Sequence, residues 1–227
     1  MENEKICLNG LPSSKGSTYE LLQGAIWLGI MACVFRLLRD FDILSAGTAI
    51  IWDSIMLLGS GICWFFFIYH FANGCKNLKS NIPVLFKAIA YLTLIVTLIG
   101  AVGRPFGVYF KLIWLLATIG SIASISGIII IVLWFKVGAR IKNTYNGLLG
   151  ALGHNIVRVW TYGIIFFVIS ISLIIVGSVV GGITGIISFV LILGLGAWLI
   201  VISYSMVFEI MVELLEEGFF SQHTDIA

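Results

Sequence analysis

Charge is what this chain has least of. Asp, Glu, Lys and Arg make up 11% of its 227 residues, against about 25% in ordinary soluble domains. No water-soluble domain of this size can hide the 60% of hydrophobic residues that accompany them. A mean hydropathy of +1.10 is spread along nearly everything after residue 20, which leaves no room for a separate soluble catalytic domain. The net charge of +2 gives nucleic-acid binding no support.

The signatures of catalysis and metal binding are also missing. The four cysteines, Cys7, Cys33, Cys63 and Cys75, form no CxxC pair, so neither a disulfide framework nor a zinc site is indicated. His70, His154 and His223 lie far apart and outside any H-E-x-x-H arrangement, which removes the usual foothold for metal catalysis. There is no G-x-S-x-G elbow and no phosphate-binding GxxxxGK[ST]. The expectation is a protein that is not an enzyme, with no cofactor and no metal. The opening MENEKICLNG lacks the basic start and short apolar core of a cleaved signal peptide, and neither end carries a lipidation motif.

What is present is a series of long apolar stretches. Crossing about 30 Å of hydrocarbon takes roughly 20 apolar residues in a helix, and six stretches qualify: 21–38, 43–72, 84–102, 108–135, 156–180 and 186–215. The predicted fold is all-α, a polytopic bundle of six transmembrane helices over residues 21–215, with a polar segment 1–20 before it and an acidic tail 216–227 after it. Ser17 and Glu20 form an S-x-x-E capping box ahead of the first stretch. The second is longer than a bilayer needs, so its first turns are loop or the helix is tilted. Pro83 stands in the first-turn position of the third, where its missing N–H costs nothing. Arg104 opens the outer loop between the third stretch and the fourth. The short GGITG connection at Gly181 to Gly185 makes helices five and six an antiparallel pair.

Orientation follows from the basic residues. With the N-terminus inside, Lys5, Lys15, Lys76, Lys79, Lys87, Lys136, Arg140, Lys142 and Arg158 face the cytoplasm, and Arg36, Arg39, Arg104 and Lys111 face away, 9 against 4. Both termini are then cytoplasmic. Helix two ends in Phe71-Ala-Asn-Gly74-Cys-Lys76 and helix four in Phe135-Lys-Val-Gly138-Ala-Arg140, a shared F-x-x-G-x-[K/R]. Three helical hairpins in tandem would produce this, and so would the aromatic, glycine and cation common at membrane exits. Compact size and the lack of long loops point to a bacterial cytoplasmic membrane.

Two groups of residues are candidates for function. An ionisable side chain at membrane depth is costly, by about 2.5–3.5 kcal/mol on insertion scales, and Asp53 sits inside the apolar run AIIWDSIMLL. Arg36, Arg39 and Arg104 fall on the same predicted side. This set is either an ion or solute pathway or a structural ion pair, and the structural reading is the simpler. The second group is a row of carboxylates at the exit of helix six. Glu209, Glu213 and Glu217 recur every four residues and share one helical face, leaving Phe208, Met211, Val212 and Leu215 on the other. With Lys136, Arg140 and Lys142 in the same compartment, this is a candidate partner-contact surface. Small residues four apart, Gly120 with Ser124, Ala123 with Gly127 and Gly177 with Gly181, predict close helix packing. The serines of GSIASISG offer a weaker polar path.

Two functions fit: a non-enzymatic membrane accessory or scaffold component, with a protein partner or further copies of itself in the bilayer, and a small ion or solute transporter or channel built around Asp53.

Overall fold

The computed structural model describes residues 15–40, 43, 45–78, 81–180 and 207–215. Those residues are helical with short connections and contain no strand. Five long helices follow one another: α1 (Lys15–Asp40), α2 (Ala46–Gly74), α3 (Ile82–Tyr109), α4 (Ile113–Thr144) and α5 (Gly147–Val180), with a 3₁₀ turn (Cys75–Asn77) after α2. Residues 207–215 are helical as well. Among the described residues four stretches are long and apolar enough to cross a membrane: Thr18–Arg39, Gly47–Gly74, Ile82–Tyr109 and Ile113–Thr144. Their large apolar side chains, Trp27, Ile30, Ile95, Val102, Ile128 and Val132 among them, are turned outward. Water would penalise such a surface and lipid would not, so these are the features of a multi-pass membrane protein.

Four of the five long helices, α1, α3, α4 and α5, run longer than the apolar stretches alone predict, and α2 is one residue shorter than its stretch. α1 begins two residues before Ser17, so the S-x-x-E pair lies inside the helix and does not cap it. α2 starts at Ala46, where the Ser45 hydroxyl accepts from Thr48 N–H at 3.4 Å; residues 43 and 45 stand outside the helix. Pro83 does sit in the first turn of α3. α3 continues through Arg104 and Pro105 to Tyr109, which corrects the expectation that Arg104 opens a loop. A proline this near a helix end forfeits one bond, to the Ala101 carbonyl, and the turns after it close normally, with Phe110 N–H on Phe106 O at 3.0 Å. The fourth helix begins at Ile113, not 108, and runs on to Thr144. Lys136, Arg140 and Lys142 are therefore helical, not linker residues. Beyond the hydrocarbon the backbone is free to stay helical, because Lys and Arg are good helix formers. α5 likewise starts at Gly147, where a φ of 66° is a turn conformation that glycine adopts without strain.

Each long helix packs on the one before it. Only Phe110, Lys111 and Leu112 separate α3 from α4, so these two must be antiparallel neighbours. Hydroxyls at apolar depth bond backward to their own helix, Thr93 to Ile89 O, Thr97 to Thr93 O and Thr118 to Trp114 O, each at 2.8 Å, which satisfies them where no water is present. One crosses between helices: Ser60 of α2 donates to Ala25 O of α1 at 2.7 Å.

The tightest packing lies at the end where α2 and α4 finish and α3 and α5 begin. There Phe67, Phe71, Phe86, Ile141, Leu149, Leu152, Met211 and Leu214 are fully buried in one cluster. We call this the basic end, after Lys76, Lys87, Lys136, Arg140 and Lys142. Cys75 belongs to the same cluster, and burial pushes its thiol far above the ordinary cysteine range. A chain keeping Cys75 as its only cysteine is therefore expected to resist maleimide at neutral pH and to react once unfolded in SDS, which mass spectrometry reads directly. A raised folded pKa favours the neutral thiol, so this contribution is intact below the unfolded cysteine value of about 8.5 and is lost as pH rises above it.

The two F-x-x-G-x-[K/R] copies do different work. Phe71 is buried at the end of α2, whereas Phe135 is half-buried inside α4 with about two and a half turns of helix still to come. The predicted pairing of helices five and six, and the GGITG connection, lie largely outside the described residues. What is described is α5 packed on α4.

Candidate functional site

Asp53 lies two turns into α2 and is 4% exposed. A carboxylate so placed needs compensation, and two neighbouring helices supply it. Arg36, in the last turns of α1, donates its Nε–H to Asp53 Oδ1 at 2.9 Å and to Oδ2 at 3.0 Å. Arg104, near the end of α3, brings a terminal nitrogen to 4.0 Å from Oδ2. The structure thus joins Asp53, Arg36 and Arg104 at the end opposite the basic one. Arg39 follows one turn after Arg36 and has an interaction of its own. Beside the pair, Phe35 of α1 stacks on Trp52 of α2 with ring centroids 6.0 Å apart. Phe106, Tyr109, Phe110 and Trp114 are exposed at the same end, the aromatic belt expected where a helix meets the headgroups.

The second candidate group forms a surface at the basic end. Val207, Phe208, Met211, Val212 and Leu214 turn into the bundle core, while Glu209 and Glu213 are exposed. Glu209 and Glu213, two of the three carboxylates in the four-residue spacing, lie on the exposed side. That spacing did not mark Leu214, which is fully buried. Nor did it reveal the socket for Phe208: Trp64 and Phe67 of α2 at 4.8 and 5.5 Å and Trp134 of α4 at 6.3 Å between centroids. The signal available was that all three aromatics fall at the same predicted exit. Lys136, Arg140 and Lys142 are exposed on the last turns of α4, and Arg140 has an interaction of its own. Glu217 lies outside the described residues.

The serines of α4 contribute little to a path. Ser121 and Ser124 are exposed and donate to Ala117 O and Gly120 O of their own helix, both at 2.9 Å. Among the described residues no three His, Cys, Asp or Glu side chains are grouped to hold a metal ion.

No protein family, no curated protein and no solved structure matches this chain.

Proposed function

We propose that the protein is a non-enzymatic accessory or scaffold component of a bacterial cytoplasmic membrane, spanning it six times with both termini in the cytoplasm. The observation that carries this reading is the helical segment 207–215, which anchors one face in the core cluster at the basic end and presents Glu209 and Glu213 outward. A rigidly held surface of both signs suits docking of another protein, because charge patterning selects partners and orients them. An even number of crossings is supported by the position of residues 207–215. α5 leaves the basic end and, at 34 residues and 1.5 Å each, reaches about 50 Å away, yet residues 207–215 are packed at the end it left.

Reversing charge at Glu209 and Glu213 to lysine keeps the buried face intact and is expected to strip co-purifying partners from the detergent-extracted protein without altering its thermal stability. Retention of every partner by the doubly reversed chain would remove this reading. The transporter alternative places its pathway at Asp53, whose carboxylate is held by Arg36. An ion or solute flux in vesicles that survives Asp53→Asn unchanged excludes that pathway.

A further inference from the structure

The Asp53 cluster holds more positive charge and more donors than its own salt bridge uses. Two guanidinium groups flank one carboxylate, so the set Arg36, Asp53 and Arg104 carries a net charge of +1. Arg36 meets both carboxylate oxygens through its Nε–H alone. Among the described residues its two terminal nitrogens donate to nothing, and Arg104, at 4.0 Å, makes no hydrogen bond. The spare donors are accessible, since the side chains of Arg36 and Arg104 are 33% and 43% exposed while that of Asp53 is 6% exposed. The carboxylate holds Arg36 by two hydrogen bonds with Arg104 4.0 Å away, and both cations keep exposed surface beside it.

Depth identifies what can reach them. α2 has 29 residues and α3 has 28, so each is about 42–44 Å long and exceeds the hydrocarbon by roughly 6–7 Å at either end. Asp53 is seven residues from the start of α2 and Arg104 five from the end of α3, or about 10 and 8 Å along the helix. Both lie within a few ångströms of the boundary between hydrocarbon and headgroups, amid exposed Trp52, Phe106 and Tyr109.

We propose that Arg36 and Arg104, positioned by Asp53, form a binding site for an oxyanion of the phosphate type, and that its natural occupant is the phosphodiester of an anionic phospholipid in the leaflet opposite the basic end. Guanidinium forks match phosphate oxygens geometrically, and charge-assisted hydrogen bonds strengthen in the low dielectric at this depth. A free phosphate offers the same anionic oxygens to the guanidinium groups and arrives from water instead of from the lipid.

The full chain in nonionic detergent tests this by thermal shift and by native mass spectrometry of retained lipid, with three probes: phosphatidylglycerol, phosphatidylcholine and sodium phosphate. Phosphatidylglycerol is expected to raise the melting temperature and to remain bound, and phosphatidylcholine to do neither. Arg104→Gln, which leaves the Arg36 salt bridge whole, is expected to weaken phosphatidylglycerol binding about ten-fold or more. Arg104→Lys should recover part of it. Lys136→Gln, at the other end, should leave it unchanged and so separates this site from general attraction to a basic rim. If sodium phosphate alone reproduces the Arg104-dependent shift, the site stands and its occupant is a soluble anion. If Arg104→Gln folds and keeps phosphatidylglycerol as tightly as the parent chain, or if Lys136→Gln lowers binding equally, the site does not exist.

Discussion

Replacing Arg36 with leucine is expected to lower the unfolding free energy by about 2–3 kcal/mol, with Asp53→Asn costing less and the double substitution less than the sum of the two. Removing one partner of a buried pair leaves an uncompensated charge and typically costs about 3–5 kcal/mol. The expected value is smaller here because Arg104 stands 4.0 Å from Oδ2 and can close in as a second partner. Asp53→Asn keeps the shape and removes the charge that needed compensation, leaving two half-exposed cations free to reach the headgroups. Leucine and asparagine together remove both halves of the problem, so a double-mutant cycle in SDS unfolding should return a clear coupling between positions 36 and 53. Additive losses would mean that the pair contributes nothing to the fold and would reopen Asp53 as a site kept for transport. High salt is expected to change the Arg36→Leu deficit little, because a carboxylate 4% exposed is poorly screened.

The sequence implied a cation beside Asp53 without saying which one. An acid inside AIIWDSIMLL demands a cation nearby, and the only cations on the same predicted side were Arg36, Arg39, Arg104 and Lys111. The four described spans were legible for the same reason, since lipid leaves few alternatives to an apolar helix. Helix ends were less so. Arg104-Pro105 reads as a loop because proline and charge usually end a helix, but one lost bond in the final turns of α3 is affordable in a way that a lost bond at mid-membrane is not. The acidic face of 207–215 could be read from a four-residue spacing alone, whereas its buried face depends on a socket built from α2 and α4, which no local pattern contains.

Glycine packing was the least legible feature. Spacing singled out Gly120 and Gly127 in α4, yet a Cβ at either would meet nothing within 4 Å. The close crossing is instead between Gly138 of α4 and Gly153 of α5. Spacing shows which surface is small; it does not show which helix covers it.

Gly153→Val is expected to destabilise the protein by about 3 kcal/mol, at the upper end of the usual cost of overpacking. A Cβ at Gly153 would run into the backbone of α4, at Lys142 N, at Gly138 O (2.8 Å) and at Ile141 C (3.0 Å). No side chain there can swing aside, so the helices must separate. Ten residues further along the same helix, Gly163 meets nothing within 4 Å, and Gly163→Ala should be neutral or stabilise by up to about 1 kcal/mol through helix propensity alone. Opposite signs for two glycines of one helix, measured by SDS unfolding, would establish that the α4–α5 crossing depends on contact and not on composition. The consequence extends to the proposed docking surface. Leu149, Leu152 and Ile156 of α5 share one buried cluster with Phe208, Met211 and Leu214, so prying α5 from α4 should also loosen the helix that carries Glu209 and Glu213. Faster cleavage after Glu209 or Glu213 by a glutamate-specific protease in Gly153→Val, with no change in Gly163→Ala, is the expected result. Equal protection in both would mean that residues 207–215 hold their place on α2 and α4 without α5.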